Sequence, residues 1–280
     1  MVINCDKIFK KKFRNIKKTL KRYSPYPQLD IIYIKKNAES EIYLAKKTQV
    51  AKDLGINVKT HIFKKNIKPE NIVATCNSLN QDPNCTGYFV QLPIREELYE
   101  ANILDKISPI KDVDGLTSEN LGKTLKGNPD AVRPATVEAV ISILKDIKTP
   151  LKSRKVVIIN DSNLIGKPLS GYLLSRGATV TLCNEFTKPL SDYTKLADII
   201  VTAVGKSRLI KTGMISKNTV IIDVGISKVK GKITGDADFK NVSQKAKAIT
   251  PVPGGVGPLT VISLFENLLK LRLLQQKGNK

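Results

Sequence analysis

At 280 residues, 41% of them apolar and 26% charged, the chain has a globular composition and enough length to bury a core in one large or two modest domains. No apolar run approaches the ~20 residues that span a bilayer. One histidine (His61) and four scattered cysteines (Cys5, Cys76, Cys85, Cys183) without a CxxC pair supply neither a zinc site nor a Cys/His nucleophile. The net charge of +22 is carried by lysine spread along the whole chain, while arginine, whose planar fork reads phosphates and bases, is sparse. That pattern fits a solvated lysine surface better than nucleic-acid recognition, and reduced thiols in a cytoplasmic setting are expected.

The opening KIFKKKFRNIKKTLKR sets Phe9, Phe13, Ile16 and Leu20 on one helical face and is too poor in Arg and Ser for a transit peptide. After Pro25 and Pro27, Leu29 to Ile34 reads as a short buried strand. Asn37 or Ser40 can cap the next helix, which runs to Leu54 and stops at Gly55. Along it Tyr43, Lys47, Val50, Ala51 and Leu54 form one stripe, so Lys47 sits on the face to be buried. Two readings follow. Either the stem lies along the stripe with the ammonium in water, or the amine is desolvated and its pKa falls from ~10.4 toward neutrality, where it can pass protons.

Ile56 to Phe63 alternates like a half-exposed strand carrying a structural His61, and Pro69 opens a helix reaching Leu79. Gly87 to Ile94 is a nearly all-apolar strand with one amide, Gln91, which must find partners if buried. Lys111-Asp112-Val113-Asp114-Gly115 is a tight turn. It is either a plain surface turn or a device that aims one acid into a cleft and leaves the other on the surface. From Arg133-Pro134-Ala135-Thr136 a helix runs to Leu144 or beyond, with Val137, Val140, Ile141 and Leu144 on one side.

Val156 to Glu185 is a strand, a polar turn (Asn160 to Asn163), a helix opened by Gly166 and ended by Gly177, and a second strand, with Glu185 just past its end. This is the pattern of a βαβ mononucleotide unit, with an acid near where such units hold ribose hydroxyls; a ligand-free crossover has the same pattern. Gly166 alone remains of the usual glycines, and Asn160 tolerates a left-handed turn conformation. Strands at 197–203 and 219–224 end at Val204-Gly205 and Asp223-Val224-Gly225-Ile226, the side on which open parallel sheets bind ligands. Ile249 to Thr260 is a stiff Pro/Gly turn or a hinge. A last helix from Val261 buries Leu264, Phe265, Leu268 and Leu271 before a frayed tail at 275–280.

SEIYLAKK, GYFVQLPI, KDVDGLTSENLGK, SNLIGKP, ADIIVTAVGK, VIIDVGI and ITPVPGGVGPLT, in this order from Ser40 to Thr260, resemble the successive motifs of the bifunctional methylenetetrahydrofolate dehydrogenase/methenyltetrahydrofolate cyclohydrolase family. The resemblance implies an α/β fold of two domains flanking a cleft: a discontinuous folate-side domain (1–133 plus 261–280) and a Rossmann-like NAD(P)-binding domain with a parallel sheet (134–260). It implies oxidation of 5,10-methylenetetrahydrofolate by a nicotinamide dinucleotide, hydrolysis of the methenyl product to 10-formyltetrahydrofolate, no metal, and a homodimer. It favours a functional Lys47, held by Gln91 and oriented by Tyr43, with Asp114 accepting hydrogen bonds from the pterin. Substrate contacts fall on Tyr43, Gln91, Asp114, Gly254, Gly255 and Pro258, and dinucleotide contacts on Asn160, Asp161, Ser162, Gly166, Glu185, Gly205 and Ile226.

The sequence departs from the family pattern at several positions. Asp161 and Glu185 stand where many members carry arginine or other groups suited to a 2′-phosphate. A carboxylate repels that phosphate but accepts a hydrogen bond from a 2′-hydroxyl, so NAD is expected over the family's usual NADP, with Lys167 or Lys188 able to restore it. Ala135 replaces the motif's usual cysteine, Arg95 replaces a proline, and the glycine after the first strand is missing around Lys35 and Lys36. The alternative is a degenerate folate or dinucleotide binder with one activity lost, against which the joint retention of Tyr43, Lys47, Gln91 and Asp114 speaks.

Overall fold

Proline and glycine decide where the elements of this α/β protein start and stop. The structure, a computed structural model, describes residues 1–35 and 38–278, without the side chains of residues 38–40 and 43. The expected cap Asn37 lies outside the described residues. The chain forms two compact units, one of Met1–Lys10, Thr124–Pro129 and Thr136–Thr260, the other of Lys11–Lys123, Asp130–Ala135 and the chain from Val261.

The elements begin with α1 (Cys5–Leu20), β1 (Gln28–Ile34), α2 (Ala38–Leu54), β2 (Asn57–Phe63), α3 (Pro69–Gln81), β3 (Cys85–Val90), α4 (Glu96–Glu100) and α5 (Ser118–Leu125). The three strands make a parallel sheet in the order β2-β1-β3. β3 is buried along its whole length and β1 along nearly all of it, as continuous apolar runs in parallel sheets are, whereas edge strand β2 alternates and pairs His61 Nε2 with the buried Asp30 Oδ1 at 2.8 Å. α2 stops at Gly55, whose φ of +79° ends a helix at little cost. Ser40 lies within α2 and is not its cap. β3 ends one residue before Gln91, shorter than expected: the Gln91 N–H still reaches Ile32 O at 2.9 Å, but Pro93 has no N–H to carry the ladder on. α1 buries Ile16 and Leu20, while Phe9 and Phe13 are only half-buried. The row one turn apart that faces inward also contains Lys12, whose Nζ bonds Ser263 Oγ at 3.4 Å and pairs with Glu266.

The second set is α6 (Ala135–Asp146), β4 (Lys155–Ile159), α7 (Gly166–Leu174), β5 (Thr179–Cys183), α8 (Ser191–Thr194), β6 (Ile199–Thr202), β7 (Val220–Asp223), β8 (Ser227–Val229), β9 (Lys232–Thr234), α9 (Phe239–Lys245), β10 (Ala248–Ile249) and α10 (Val256–Gly278). β10-β7-β6-β4-β5 is a parallel sheet with its core on Ile200, Ile221, Ile249 and Val242, and the chain start adds to it, Ile3 N–H donating to Ile249 O at 2.9 Å. β8 and β9 form a hairpin turned by Lys230 and Gly231, both at positive φ. α10 starts five residues earlier than Val261 because Pro258, in its first turn, lacks only an N–H that the helix would not have bonded. Among the described residues no helix is long and apolar enough to cross a membrane.

Gly87 shows how tightly the segment after β3 is applied to the sheet. Tyr88 N–H donates to Lys111 O at 2.8 Å and Val113 N–H to Tyr88 O at 3.3 Å, and a Cβ at Gly87 would lie 2.5 Å from Val113 Cγ2. Gly87→Ala is expected to lower the unfolding free energy by about 1–3 kcal/mol, the usual cost of overpacking, read from urea denaturation.

Candidate functional site

On the sheet of β1, β2 and β3, α2 places Lys47 inward. Its side chain is 7% exposed, as the stripe through Val50, Ala51 and Leu54 requires, and its Nζ lies 4.0 Å from the centroid of the Phe89 ring. Burial pushes its pKa below the ordinary 10.5, while the charge of Asp114 acts in the opposite sense. Tyr43 belongs to the same helix, but its side chain lies outside the described residues.

Gln91 is 8% exposed. Its Nε2 donates to Leu92 O at 2.8 Å, which fixes the orientation of the amide, and its Oε1 is buried with no hydrogen-bond partner among the described residues. The expected hydrogen bond from Lys47 to this oxygen is therefore not made. The KDVDG turn also differs from its expected form, since neither acid is free on the surface. Asp112 is fully buried and accepts from Gly115 N–H (2.8 Å), Thr117 N–H (2.8 Å) and Asn120 Nδ2 (3.0 Å). Burial raises its pKa, with these donors opposing. Lys111 points the other way, its Nζ donating to Leu79 O and Asp82 O at 2.7 and 2.6 Å. With both neighbours so engaged, the half-buried Asp114 is left as the acid available to a ligand. Asn267 of α10 closes the turn from behind, donating to Val113 O and Arg133 O at 2.9 and 2.8 Å.

The expected dinucleotide side lies at the carboxyl ends of β4, β5 and β6. Asn160 is not in a left-handed conformation. It shapes the turn through its side chain: Oδ1 accepts from Ser162 N–H (2.9 Å), Ser162 Oγ (2.6 Å) and Gly166 N–H (3.2 Å), and Nδ2 donates to Ala203 O at 2.9 Å. A Cβ at Gly166 would fall 1.8 Å from Asn160 O, so only glycine lets α7 start this close to β4. Beside the turn is a cavity of about 430 Å³ whose lining includes Asn160, Asp161, Glu185, Lys188, Val204 and Lys206. Ser162 and Gly166 belong to the turn, while Gly205 (φ +72°) and the exposed Ile226 lie outside the lining. Lys167 is held by Asn163 Oδ1 at 3.1 Å. The Pro/Gly segment turns at Gly254 (φ +90°) and Gly255, where a Cβ would meet Pro251 O at 2.2 Å; Pro258 is exposed on the first turn of α10.

Residues 3–114 match the family model described as tetrahydrofolate dehydrogenase/cyclohydrolase, catalytic domain, and residues 134–276 match its NAD(P)-binding domain. The chain belongs to the tetrahydrofolate dehydrogenase/cyclohydrolase family. It is 41% identical over 286 aligned positions to the bifunctional protein FolD of Mycoplasma mycoides, covering 100% of this chain and 99% of that one. The crystal structure of the bifunctional FolD enzyme of Campylobacter jejuni superposes with a TM-score of 0.95 at 35% identity, covering 98% and 99% of the two chains. The Trypanosoma brucei FolD structure, complexed with NADP cofactor and inhibitor, gives 0.90 at 30% identity, covering 99% and 98%.

Within this member of the tetrahydrofolate dehydrogenase/cyclohydrolase family, two acids that the sequence did not single out shape the strand ends. Asp236, fully buried, accepts from Thr202 Oγ1 (2.8 Å), Val204 N–H (2.7 Å) and Lys206 N–H (2.8 Å), fixing the loop that lines the cavity. Asp223 accepts from the backbone N–H of Gly225, Asp236 and Ala237. Glycines at 225 and 235 make the room, since a Cβ at either would lie 2.1 Å from the opposite carboxylate. The only signal in the sequence was that pair of glycines, each beside an acid or two residues from one. Burial, with Asp236 nearby, pushes the Asp223 pKa from the ordinary 3.8 to about 6. A raised folded-state pKa contributes stability below 3.8 that is lost as pH rises through about 6. Asp223→Asn is expected to remove this part of the pH dependence, seen as a flatter change in urea midpoint across that range; an unchanged slope would exclude Asp223 as its source.

Proposed function

We propose that the protein oxidises 5,10-methylenetetrahydrofolate with a nicotinamide dinucleotide and hydrolyses the methenyl product to 10-formyltetrahydrofolate. The folate chemistry is assigned to residues 1–133 with 261–280, and the dinucleotide to 134–260. The observation that carries this reading is the buried amine of Lys47, its pKa lowered by burial, with Asp114 near enough to act on its charge. The alternative of a binder with one activity lost draws no support from a chain that keeps this costly group out of water.

In hydrolysis, water adds to the methenyl carbon, a C–O bond forms and a proton is released; as the ring C–N bond then breaks, its nitrogen gains a proton and the hydroxyl loses one to become the formyl C=O, so that one proton is released overall. An amine whose pKa is lowered by burial can take the first proton and return one to that nitrogen. Asp114 accepts from N–H donors of the pterin. Gln91 Oε1, without a partner among the described residues, accepts a further N–H, from substrate or from Lys47 once substrate is bound. Tyr43, one turn before Lys47, is assigned the orienting role, and Gly254, Gly255 and Pro258 the remaining substrate contacts. Lys47→Met is expected to cut cyclohydrolase turnover by at least about 100-fold while folate binding survives. Full hydrolysis by that variant would remove Lys47 from the mechanism.

The cavity beside the Gly166 turn supports a dinucleotide site: it lies at the carboxyl ends of parallel strands, where such sheets take their ligands, and Asn160, Asp161 and Glu185 line it. When bound, the nicotinamide supplies the hydride acceptor. Asn160, Asp161, Ser162, Gly166, Glu185, Gly205 and Ile226 are the residues assigned to hold the molecule. Asp161 and Glu185 both line the cavity, which supports NAD; Lys188 and Lys206 line it too and oppose that preference. The ratio of kcat/KM for the two dinucleotides is expected to favour NAD, and Glu185→Arg to move it toward NADP by about tenfold or more. A clear NADP preference of the unaltered protein would overturn the carboxylate argument. The reading also carries a homodimer, and a cytoplasmic setting supported by four free, buried cysteines.

A further inference from the structure

Phe89 occupies the last position but one of β3, 1% exposed, opposite Ile31 of β1. β3 pairs with β1 on one side, and alternation puts the ring on the same face as Gln91, two residues on. Over that ring, 4.0 Å from its centroid, lies the Lys47 ammonium. No hydrogen bond ties Lys47 to Gln91, whose amide oxygen has no partner among the described residues.

We propose that Phe89 is a positioning residue for Lys47: the face of its ring, in place of the Gln91 amide, holds the ammonium where the folate chemistry needs it. The inference rests on the role given to Lys47 above. An aromatic face attracts a cation within about 6 Å through its quadrupole, most strongly when the cation is out of water. It does so without occupying an N–H, so the donors of the ammonium stay assignable to substrate, water or Gln91. Leucine or isoleucine would fill the same space and offer no such field. The ring favours the charged amine against the burial that disfavours it. Asp114 of the 111–115 turn also favours the ammonium through its charge; Tyr33 lies on the face of β1 that Phe89 takes on β3, and α2 itself carries Tyr43 one turn before Lys47.

The test uses the full-length protein with Phe89 replaced by leucine and, through site-specific incorporation, by phenylalanines carrying increasing numbers of ring fluorines. Fluorine drains the quadrupole at almost constant volume. Two readouts follow: the pH profile of methenyl hydrolysis, and the NMR titration of the Lys47 Cε–Hε resonance, assigned by its loss in Lys47→Met. The Lys47 pKa is expected to fall by about half a unit to one unit in Phe89→Leu and stepwise with fluorine number, and Phe89→Tyr to restore it. A titration that fluorination leaves unmoved would overturn the proposal even if Phe89→Leu failed to fold. The two readings fail separately: full hydrolysis by Lys47→Met ends the catalytic one, while the NMR titration judges the ring contact without any turnover.

Discussion

A lysine amine leaves water only where its surroundings favour its charge or will take its proton. Around position 47 that condition is met by a ring face from β3 and a carboxylate from the 111–115 turn, and much of the β1-β3 sheet can be understood as the frame that keeps them there. α2 turns the lysine inward because its neighbours on the stripe are apolar. β3 must be flat against the following segment, which is why its third residue is a glycine. The turn must hold its shape with one acid so that the next can face a ligand.

That last device recurs. Asp112, Asp223 and Asp236 are each buried, and each spends its oxygens on backbone N–H groups of a loop that follows a strand or lies beside one. A carboxylate can accept several such bonds at fixed angles, which a neutral side chain cannot match. The acids near the cavity beside the Asn160 turn therefore divide by exposure. Asp236 and Asp223 build the walls, while Asp161 and Glu185 face what enters.

Much of this was legible in the sequence. The inward stripe of α2, the strand-turn-helix around Gly166 and the apolar run before Gln91 are local periodicities, and each became the expected element within a few residues. What was hidden depended on partners distant in sequence. Asp112 and Asp114 have the same spacing whichever is buried, and only the packing of Asn120 and the Thr117 backbone onto one of them separates their roles. Phe89 looked like any core aromatic until α2 laid a cation over it. Asn160 was expected to work by backbone torsion and works by its amide instead, because Ala203 O and Gly166 N–H, neither adjacent to it in sequence, arrive together.

The amide of Asn160 gives this turn a chemical lifetime as well as a shape. One of its ends donates and the other accepts, so the two cannot be exchanged. Spontaneous loss of ammonia from that side chain would set an oxygen against the carbonyl of Ala203 and push the two strand ends apart. Such a change would spoil the turn beside the cavity and leave the sheet that carries Lys47 untouched.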